Sequence, residues 1–343
     1  MPGTVRPNRR VFVRSGLATL VTAAFAGRPA GQEQRFFRIA TGPVGGSAYA
    51  LGGVLAETIS SPPGTPPCGE GGSCGVPGLV ALAQSSAGSL ANLELLAAGR
   101  VESAIVHADL AEAAERGDPE IARGALTGRL RALAALLSAS VHLLVRPEVA
   151  IAAPGDLAGR RVGFEEPGSG NGRLAGRLLE AYGLGRGRIE PVFLTRSPMV
   201  TAMATGQVDA LLLVGAWPLP VVEELVRDWG ARLLPVTGPP VDELIRAVPY
   251  LSYQLVPFGA YPGQPAVETV GLPLVWLTGA ELAEELAYAL VMALWRAENR
   301  PRLRAGHPQG LELGPEQAVQ GLPIALHPGA ERWYREQGLW SDR

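Results

Sequence analysis

His107 and Asp109 stand two residues apart at the end of an apolar run, and one interpretation of the pair is a general base and the acid that orients it. Nucleophilic catalysis with such a pair also needs a serine or cysteine on a recognisable turn, and the sequence offers none. The other three histidines are scattered without metal-ligand spacing. We therefore predict no catalytic residue, no metal site and no cofactor, and assign His107 and Asp109 to shaping a ligand site.

A glycine-rich turn ends at Gly46, directly before a predicted helix that carries Ser47 and Tyr49 in its first turn. Backbone N–H groups at a helix start bind anions, and the two hydroxyl groups add further donors. The sequence therefore predicts a site for an anion such as a carboxylate that includes Gly46, Ser47 and Tyr49. A glycine turn required only for close packing is the alternative.

Two further loops precede predicted helices in the same way. Ser89 and Asn92 follow the first of these loops, where simple helix capping is the alternative role. Ser169, Gly170 and Asn171 belong to the second loop. It is not a dinucleotide-binding turn, because the third glycine of the G-x-G-x-x-G pattern is missing. We include all five residues in the predicted ligand site.

Two larger side chains lie just beyond predicted strands. Trp217 precedes a proline, where its ring either stacks on a ligand or packs in the core, and we include it in the predicted site. Arg196 follows another strand. An arginine there is able to clamp a carboxylate, but a solvated side chain is the favoured interpretation.

One pattern occurs twice in the chain: a helix-like run, a glycine, a valine followed by an acid, and an apolar strand. The copies centre on Gly99 and Gly206, which suit the left-handed residue that ends a helix. The carboxyl ends of parallel strands face the ligand crevice in sheets of this kind. We therefore expect residues 107–109 and 215–217 to face each other across one cleft.

The composition, 47% hydrophobic and 18% charged, is that of a folded protein, and 343 residues favour two domains. All 30 basic residues are arginine. Chemistry that depends on lysine, including Schiff bases and the Walker A phosphate loop, is therefore excluded.

The N-terminal segment has the features of an export signal. Paired arginines precede a short apolar stretch, and a small-residue cleavage site ends at Ala26. We predict a twin-arginine-like signal peptide over residues 1–26 and a periplasmic mature protein; a disordered basic tail is the alternative. Cleavage would leave 26 arginines against 32 acidic residues, and this negative excess predicts no nucleic-acid partner.

Cys68 and Cys74 lie in a loop rich in proline and glycine. In an oxidising compartment we expect them to form a local disulfide, because two thiolates without a nearby histidine leave a zinc site half empty. The bond would fix a surface loop that has no core of its own.

Strand-like and helix-like segments alternate along the mature chain, which predicts an α/β fold with helices on both faces of a parallel sheet. We expect two doubly wound lobes joined by a hinge, lobe I over residues 35–142 plus 270–343 and lobe II over residues 143–269. Strands are expected at 36–41, 79–84, 132–146, 161–164, 189–194, 208–214 and 269–277. Helices are expected at 47–59, 89–98, 174–182, 198–205, 280–298 and from 315 onward.

The chain resembles the TAXI solute-binding proteins of TRAP transporters, a branch of the type II periplasmic binding protein fold. Residues 39–42 with 45–49, 87–93, 168–170 and 321–330 carry the resemblance, and the last segment is the most specific. The resemblance implies a monomer whose cleft closes on a small carboxylate, an amino acid or a glutamate-like dicarboxylate. It also implies docking on a TRAP permease driven by an ion gradient.

Two other functions stay open. One keeps the fold but serves an ABC importer, with a sulfonate or a pyrimidine as the ligand. The other is an exported hydrolase, for which Ser47, Ser89 and Ser169 are the candidate nucleophiles.

Overall fold

The computed structural model describes residue 3 and residues 34–121, 124–165, 169–185 and 187–341. The predicted signal peptide, residues 1–26, lies outside this range except for Gly3. Among the helices of the described residues, none is both long enough and apolar enough to cross a bilayer.

The strands of the described residues are β1 (Arg35–Ala40), β2 (Ser60–Ser61), β3 (Val76–Pro77), β4 (Leu79–Gln84), β5 (Ser103–His107), β6 (Leu130–Val145), β7 (Arg161–Phe164), β8 (Glu190–Phe193), β9 (Ala210–Gly215), β10 (Arg232–Leu234), β11 (Ser252–Val256) and β12 (Val267–Gly279). Eight of them follow one another across the main sheet in the order β4-β1-β5-β12-β6-β9-β7-β8. β10 pairs with β6 and β11 with β12, whereas β2 and β3 form a separate small sheet.

The main sheet has two parallel halves joined by a long antiparallel pair. β4, β1 and β5 run parallel and are called the first half-sheet; β9, β7 and β8 run parallel and are called the second half-sheet. Between them lie β6, with 16 residues, and β12, with 13, paired antiparallel. The predicted α/β fold class with two wound halves is confirmed, although the sheet is mixed at its centre. The residue boundaries of the lobes stay predictions.

The α-helices of the described residues are α1 (Ser47–Ile59), α2 (Ser89–Ala97), α3 (Ala108–Glu115), α4 (Gly170–Ala181), α5 (Arg196–Ala204), α6 (Pro220–Trp229), α7 (Pro239–Ala247), α8 (Glu284–Trp295), α9 (Arg300–Ala305) and α10 (Pro328–Glu336). α1, β4 and β7 have the predicted bounds. α4 begins four residues before the predicted start, because the Ser169 hydroxyl caps it by accepting a hydrogen bond from the Gly172 N–H at 3.0 Å.

The helix predicted from residue 315 onward is wrong. Residues 315–320 form turns, Gly321 adopts a positive φ of 62°, and the helix begins only at Pro328. The intervening chain instead hydrogen-bonds to β6, where the Ala132 N–H donates to the Ala325 carbonyl at 2.8 Å. A left-handed glycine and a chain paired to a strand both interrupt the helical pattern.

The repeated pattern folds the same way in both copies. Gly99 follows α2 with a φ of 63°, and Gly206 follows α5 with a φ of 72°. Both glycines therefore hold the left-handed conformation that ends a helix, as the sequence predicts. Each copy then leads into a buried strand, β5 or β9, that runs parallel to its neighbour.

The acid of each copy binds an arginine on the neighbouring parallel strand. The Arg38 backbone N–H donates to Glu102 Oε2 at 2.6 Å, and the guanidinium Nη2–H of Arg38 donates to Glu102 Oε1 at 2.5 Å. Arg161 donates to Asp209 in the same way, at 3.0 Å and 2.6 Å. The two carboxylates therefore tie strands together at the amino ends of β5 and β9, the opposite ends from those that face a ligand crevice.

The predicted disulfide between Cys68 and Cys74 is present and closes a short turn within the loop between β2 and β3. Asn299 lies beneath this segment and donates its amide Nδ2–H to the Cys74 carbonyl at 3.4 Å and to the Ala293 carbonyl at 2.7 Å. The loop is therefore attached to the α8 region by a buried polar contact as well as by its own covalent bond.

Candidate functional site

A cavity of about 380 Å³ lies where the carboxyl ends of β1, β5, β7 and β9 meet. This volume is within the range of small-molecule sites. Its lining residues are Thr41, Gly42, Pro43, Gly46, Ser47, Ala48, Ala87, Gly88, Ser89, Leu90, Ala91, Glu94, His107, Glu165, Ser169, Gly170, Asn171, Arg196, Val214, Gly215 and Leu274. The cavity therefore occupies the crevice at which sheets of parallel strands bind ligands.

Of the helices in the described residues, four begin at this cavity: α1, α2, α4 and α5. The residues that precede α1, α2 and α5 are Gly46, Gly88 and Thr195, and none of the three forms a side-chain cap. The first N–H groups of a helix have no intrahelical acceptor, and the helix dipole adds a partial positive charge there. Three uncapped helix starts therefore make the cavity wall favourable for an anion.

Arg196 and Glu165 form an ion pair inside the cavity. The Arg196 Nε–H donates to Glu165 Oε1 at 3.1 Å, and Nη2 donates to the Val214 carbonyl at 3.2 Å. Only 21% and 18% of the two side chains are exposed, so solvent screens the pair less than it would a surface pair. Arg196 is therefore a wall of the cavity and not the solvated side chain that the sequence favours.

His107 ends β5 with its side chain buried against the start of α4. Burial, together with the nearby charge of Arg196, lowers the pKa of the imidazole to about 4. Nδ1 is buried and has no hydrogen-bond partner among the described residues. A Cβ atom added at Gly170 would lie 2.8 Å from Nδ1, so the glycine permits this close approach. The ring is therefore neutral at physiological pH and packs directly on a helix start.

Two serine hydroxyls hold backbone segments around the cavity. The Ser47 hydroxyl accepts a hydrogen bond from the Ala216 N–H at 3.1 Å. The Ser89 hydroxyl accepts one from the His107 N–H, also at 3.1 Å. Each serine fixes the end of a strand, β9 or β5, relative to the start of a helix.

The structure brings together seven of the eleven residues predicted to form the ligand site. The residues that line the cavity are Gly46, Ser47, Ser89, His107, Ser169, Gly170 and Asn171. Of the segments expected to face each other, 107–109 and 215–217, only His107 and Gly215 line it. Their contact with a ligand stays a prediction.

Tyr49 and Asn92 lie outside the cavity, contrary to the prediction. Tyr49 is two residues beyond Ser47 on α1, which turns its side chain through about 200° and leaves it exposed. Asn92 is fully buried, and its Nδ2–H group donates to the carbonyls of Thr41 and Ile105 at 2.6 and 2.8 Å. The asparagine therefore joins α2 to the ends of β1 and β5.

Asp109 and Trp217 also lie outside the cavity. α3 begins at Ala108, immediately after β5, so Asp109 points into the space between α3 and α4, beside Arg173 and Arg177. Its Oδ1 accepts a hydrogen bond from the Leu110 N–H at 2.8 Å. Trp217 packs partly buried against the apolar cluster around α5 and α6. It has the core role that the sequence left open.

Glu165 and Glu94 line the cavity but were not among the predicted site residues. Glu165 follows β7 directly, so the rule that strand ends face the crevice would have found it. Glu94 lies on α2, five residues after the helix start, and no signal in the loop pattern points to it. Within the described residues, no group of three or more His, Cys, Asp or Glu side chains is arranged to hold a metal ion.

Several solved structures are similar in fold to this chain. The periplasmic aliphatic sulphonate binding protein SsuA from Escherichia coli is 18% identical over 81% of this chain and 75% of its own, with a TM-score of 0.45. The alkanesulfonate-binding protein SsuA from Xanthomonas axonopodis pv. citri, bound to MOPS, is 18% identical over 90% and 96%, with a TM-score of 0.43. A putative periplasmic sulfonate-binding protein from Methylobacillus flagellatus is 14% identical over 90% and 88%, with a TM-score of 0.46.

The family model that matches this sequence is described as NMT1-like. The match begins at residue 39, within β1, and ends at residue 338, after α10. It includes every residue that lines the cavity. Because it extends over most of the sequence, the chain belongs to the NMT1-like family.

Proposed function

We propose that this protein is an exported receptor that binds a small organic anion in its cleft and presents it to a membrane importer. One observation carries the proposal: three uncapped helix starts and the guanidinium of Arg196 converge on one cavity. Oriented N–H groups and a partly buried arginine are donors suited to carboxylates and sulfonates.

The remaining lining of the cavity favours an anion that carries a short apolar chain. Pro43, Leu90, Ala91 and Leu274 line it beside the polar groups. Small-molecule sites commonly combine an apolar lining with a few placed polar groups that fix the orientation of the ligand. A ligand satisfies both parts of the site when its anionic head group lies at the helix N-termini and its alkyl chain packs against these apolar side chains.

The first candidate ligand is an alkanesulfonate, imported through an ABC-type permease. The names of the matched sulfonate-binding structures make sulfonates the first anions to test. A small carboxylate delivered to a TRAP permease, as the TAXI resemblance implies, is the second candidate. The helix starts bind either head group, so the ligand assay must separate the two.

Isothermal titration calorimetry of the purified protein tests the proposal, with butane-1-sulfonate, butanoate, glutamate and uracil as probes. We expect at least one anion to bind and uracil not to bind. Arg196→Gln should weaken binding of that anion at least about tenfold, because it removes a charged hydrogen-bond donor. Arg100→Gln, an exposed arginine outside the cavity, is the matched control and should bind as the wild type does. Absence of binding by all three anions would contradict the proposal.

A further inference from the structure

We propose that Glu165 selects ligands by charge: through its pairing with Arg196 it restricts the bound head group to a single negative charge and rejects doubly charged anions. This inference rests on the proposed function, and it adds a substrate class to it. The inference concerns the charge of the head group only and makes no claim about the length of the apolar chain.

The contacts of Arg196 leave part of its guanidinium available to a ligand. Glu165 engages Nε and the Val214 carbonyl engages Nη2. Nη1 has no hydrogen-bond partner among the described residues, and it lies 3.9 Å from the position of a Cβ added at Gly46. An anion at the start of α1 would therefore meet the free Nη1 edge of Arg196 while Glu165 keeps the Nε edge.

The formal charges in the cavity do not favour a dianion. Among the described residues that line it, Arg196 is the cation and Glu165 and Glu94 are the anions. His107 adds no charge, because its buried imidazole is neutral at physiological pH. Glu165 already balances the arginine, so the attraction for a ligand comes mainly from the helix starts, each equivalent to about half a charge.

A second negative charge on the ligand is not fully compensated by the positive charge of the cavity. The three uncapped helix starts together supply about one and a half positive charges, so they compensate one negative charge fully and a second only in part. The carboxylate of Glu165 repels that second charge. Glu165 is mostly buried, so this repulsion is only partly screened. Glu94 is exposed on α2, and solvent weakens its contribution.

Two probes of the same shape separate charge from size. Butane-1-sulfonate carries one negative charge and butylphosphonate carries two in alkaline buffer, and both present a tetrahedral head on the same alkyl chain. We expect the wild type to prefer the sulfonate in calorimetric titrations under these conditions. In the wild type the dissociation constant of butylphosphonate should therefore exceed that of butane-1-sulfonate. Glu165→Gln should reduce this ratio, phosphonate over sulfonate, roughly tenfold, which is the scale of one charge interaction across several ångströms of protein.

Two further variants keep the test decisive. Glu165→Asp retains the charge and should retain the preference for the sulfonate. Glu180→Gln removes an exposed carboxylate from α4, outside the cavity, and should leave both affinities unchanged. Thermal unfolding of each variant checks that it is folded.

The outcomes are distinguishable. If Glu165→Gln weakens the binding of both anions by the same factor, or leaves the ratio of their dissociation constants unchanged, Glu165 only positions Arg196. The inference is then overturned while the proposed function stands. If neither anion binds to the wild type or to any variant, the proposed function falls and the inference falls with it.

Discussion

The hydroxyl of Ser47 accepts a hydrogen bond from the backbone N–H of Ala216, although 169 residues separate them along the chain. Ser47 begins α1, which follows the first half-sheet strand β1, and Ala216 follows β9 of the second half-sheet. The bond therefore spans the cleft at the wall of the cavity. It links the two halves beside the cavity in which the proposed ligand would lie.

We predict that Ser47→Ala weakens ligand binding by about 3- to 10-fold with little change in the free energy of unfolding. The substitution removes one neutral hydrogen bond, a contribution of about 0.5–1.5 kcal/mol. Because the bond joins the two halves at the cavity wall, its loss should loosen the cavity more than it destabilises the folded chain. Titration calorimetry and urea unfolding measure the two effects. Ser252→Ala, at an exposed serine of β11, is the control; a large loss of stability with unchanged affinity would contradict the prediction.

Gly170 and Gly176 both lie on α4, and we predict that substitution by alanine has opposite effects on stability at the two positions. A Cβ at Gly170 would come within 2.8 Å of His107 Nδ1, whereas nothing lies within 4 Å of one at Gly176. Gly170→Ala should therefore destabilise the protein by about 1–3 kcal/mol through overpacking and reduce ligand binding. Gly176→Ala should stabilise it by about 0.5–1 kcal/mol through lower chain entropy in the unfolded state.

Urea unfolding of the two alanine variants beside the wild type measures these effects. Each variant serves as the control for the other, because helix, residue type and substitution are the same. Equal effects of the two substitutions would show that the contact between His107 and Gly170 does not constrain the start of α4.

The ion pair between Arg161 and Asp209 predicts a pH-dependent contribution to stability. The hydrogen bonds and charge of Arg161 hold the pKa of Asp209 below its ordinary value of 3.8. A lowered pKa stabilises the folded state above the ordinary value, and the contribution is lost as the pH falls through the folded-state pKa. Asp209→Asn should therefore cost about 1–2 kcal/mol at neutral pH, since Arg161 is 41% exposed and solvent weakens the pair.

Chemical unfolding at neutral and at acid pH checks the Asp209 prediction. The difference between the variant and the wild type should shrink as the pH falls below 3.8. Asp228→Asn, which removes an exposed carboxylate paired with its neighbour Arg227, should change stability far less. A pH-independent loss in Asp209→Asn would mean that packing, not charge, joins the two strands there.

The sequence predicts which loops surround the cavity but not which side chains in them face it. Ser47 and Tyr49 occupy the same helix start, and so do Ser89 and Asn92, yet one member of each pair lines the cavity. Neighbouring helix positions differ by about 100° in direction, so a small change in the angle of a helix selects a different residue. That angle depends on packing with the sheet, which one sequence does not reveal.

The contact between Arg196 and Glu165 could not be predicted from the sequence for a related reason. The two residues lie 31 positions apart, and each follows a different strand of the second half-sheet. Their contact depends on the order of β7 and β8 in the sheet. Local patterns predict each strand, whereas strand order follows from the tertiary fold.

Asp109 gives a final prediction, opposite in sign to that for Asp209. The carboxyl group is 4% exposed, and burial raises its pKa from 3.8 to about 6, an effect that Arg173 and Arg177 only partly offset. A raised acid pKa means that the folded state binds the proton more tightly, so stability falls as the pH rises from 3.8 through about 6. Asp109→Asn, which stays neutral, should therefore be more stable than the wild type by about 1–3 kcal/mol above about pH 7. Below pH 3.8 the wild-type carboxyl is neutral as well, and the two proteins should unfold at similar urea concentrations. A variant less stable than the wild type at neutral pH would mean that attraction to the two arginines outweighs the cost of burying the charge.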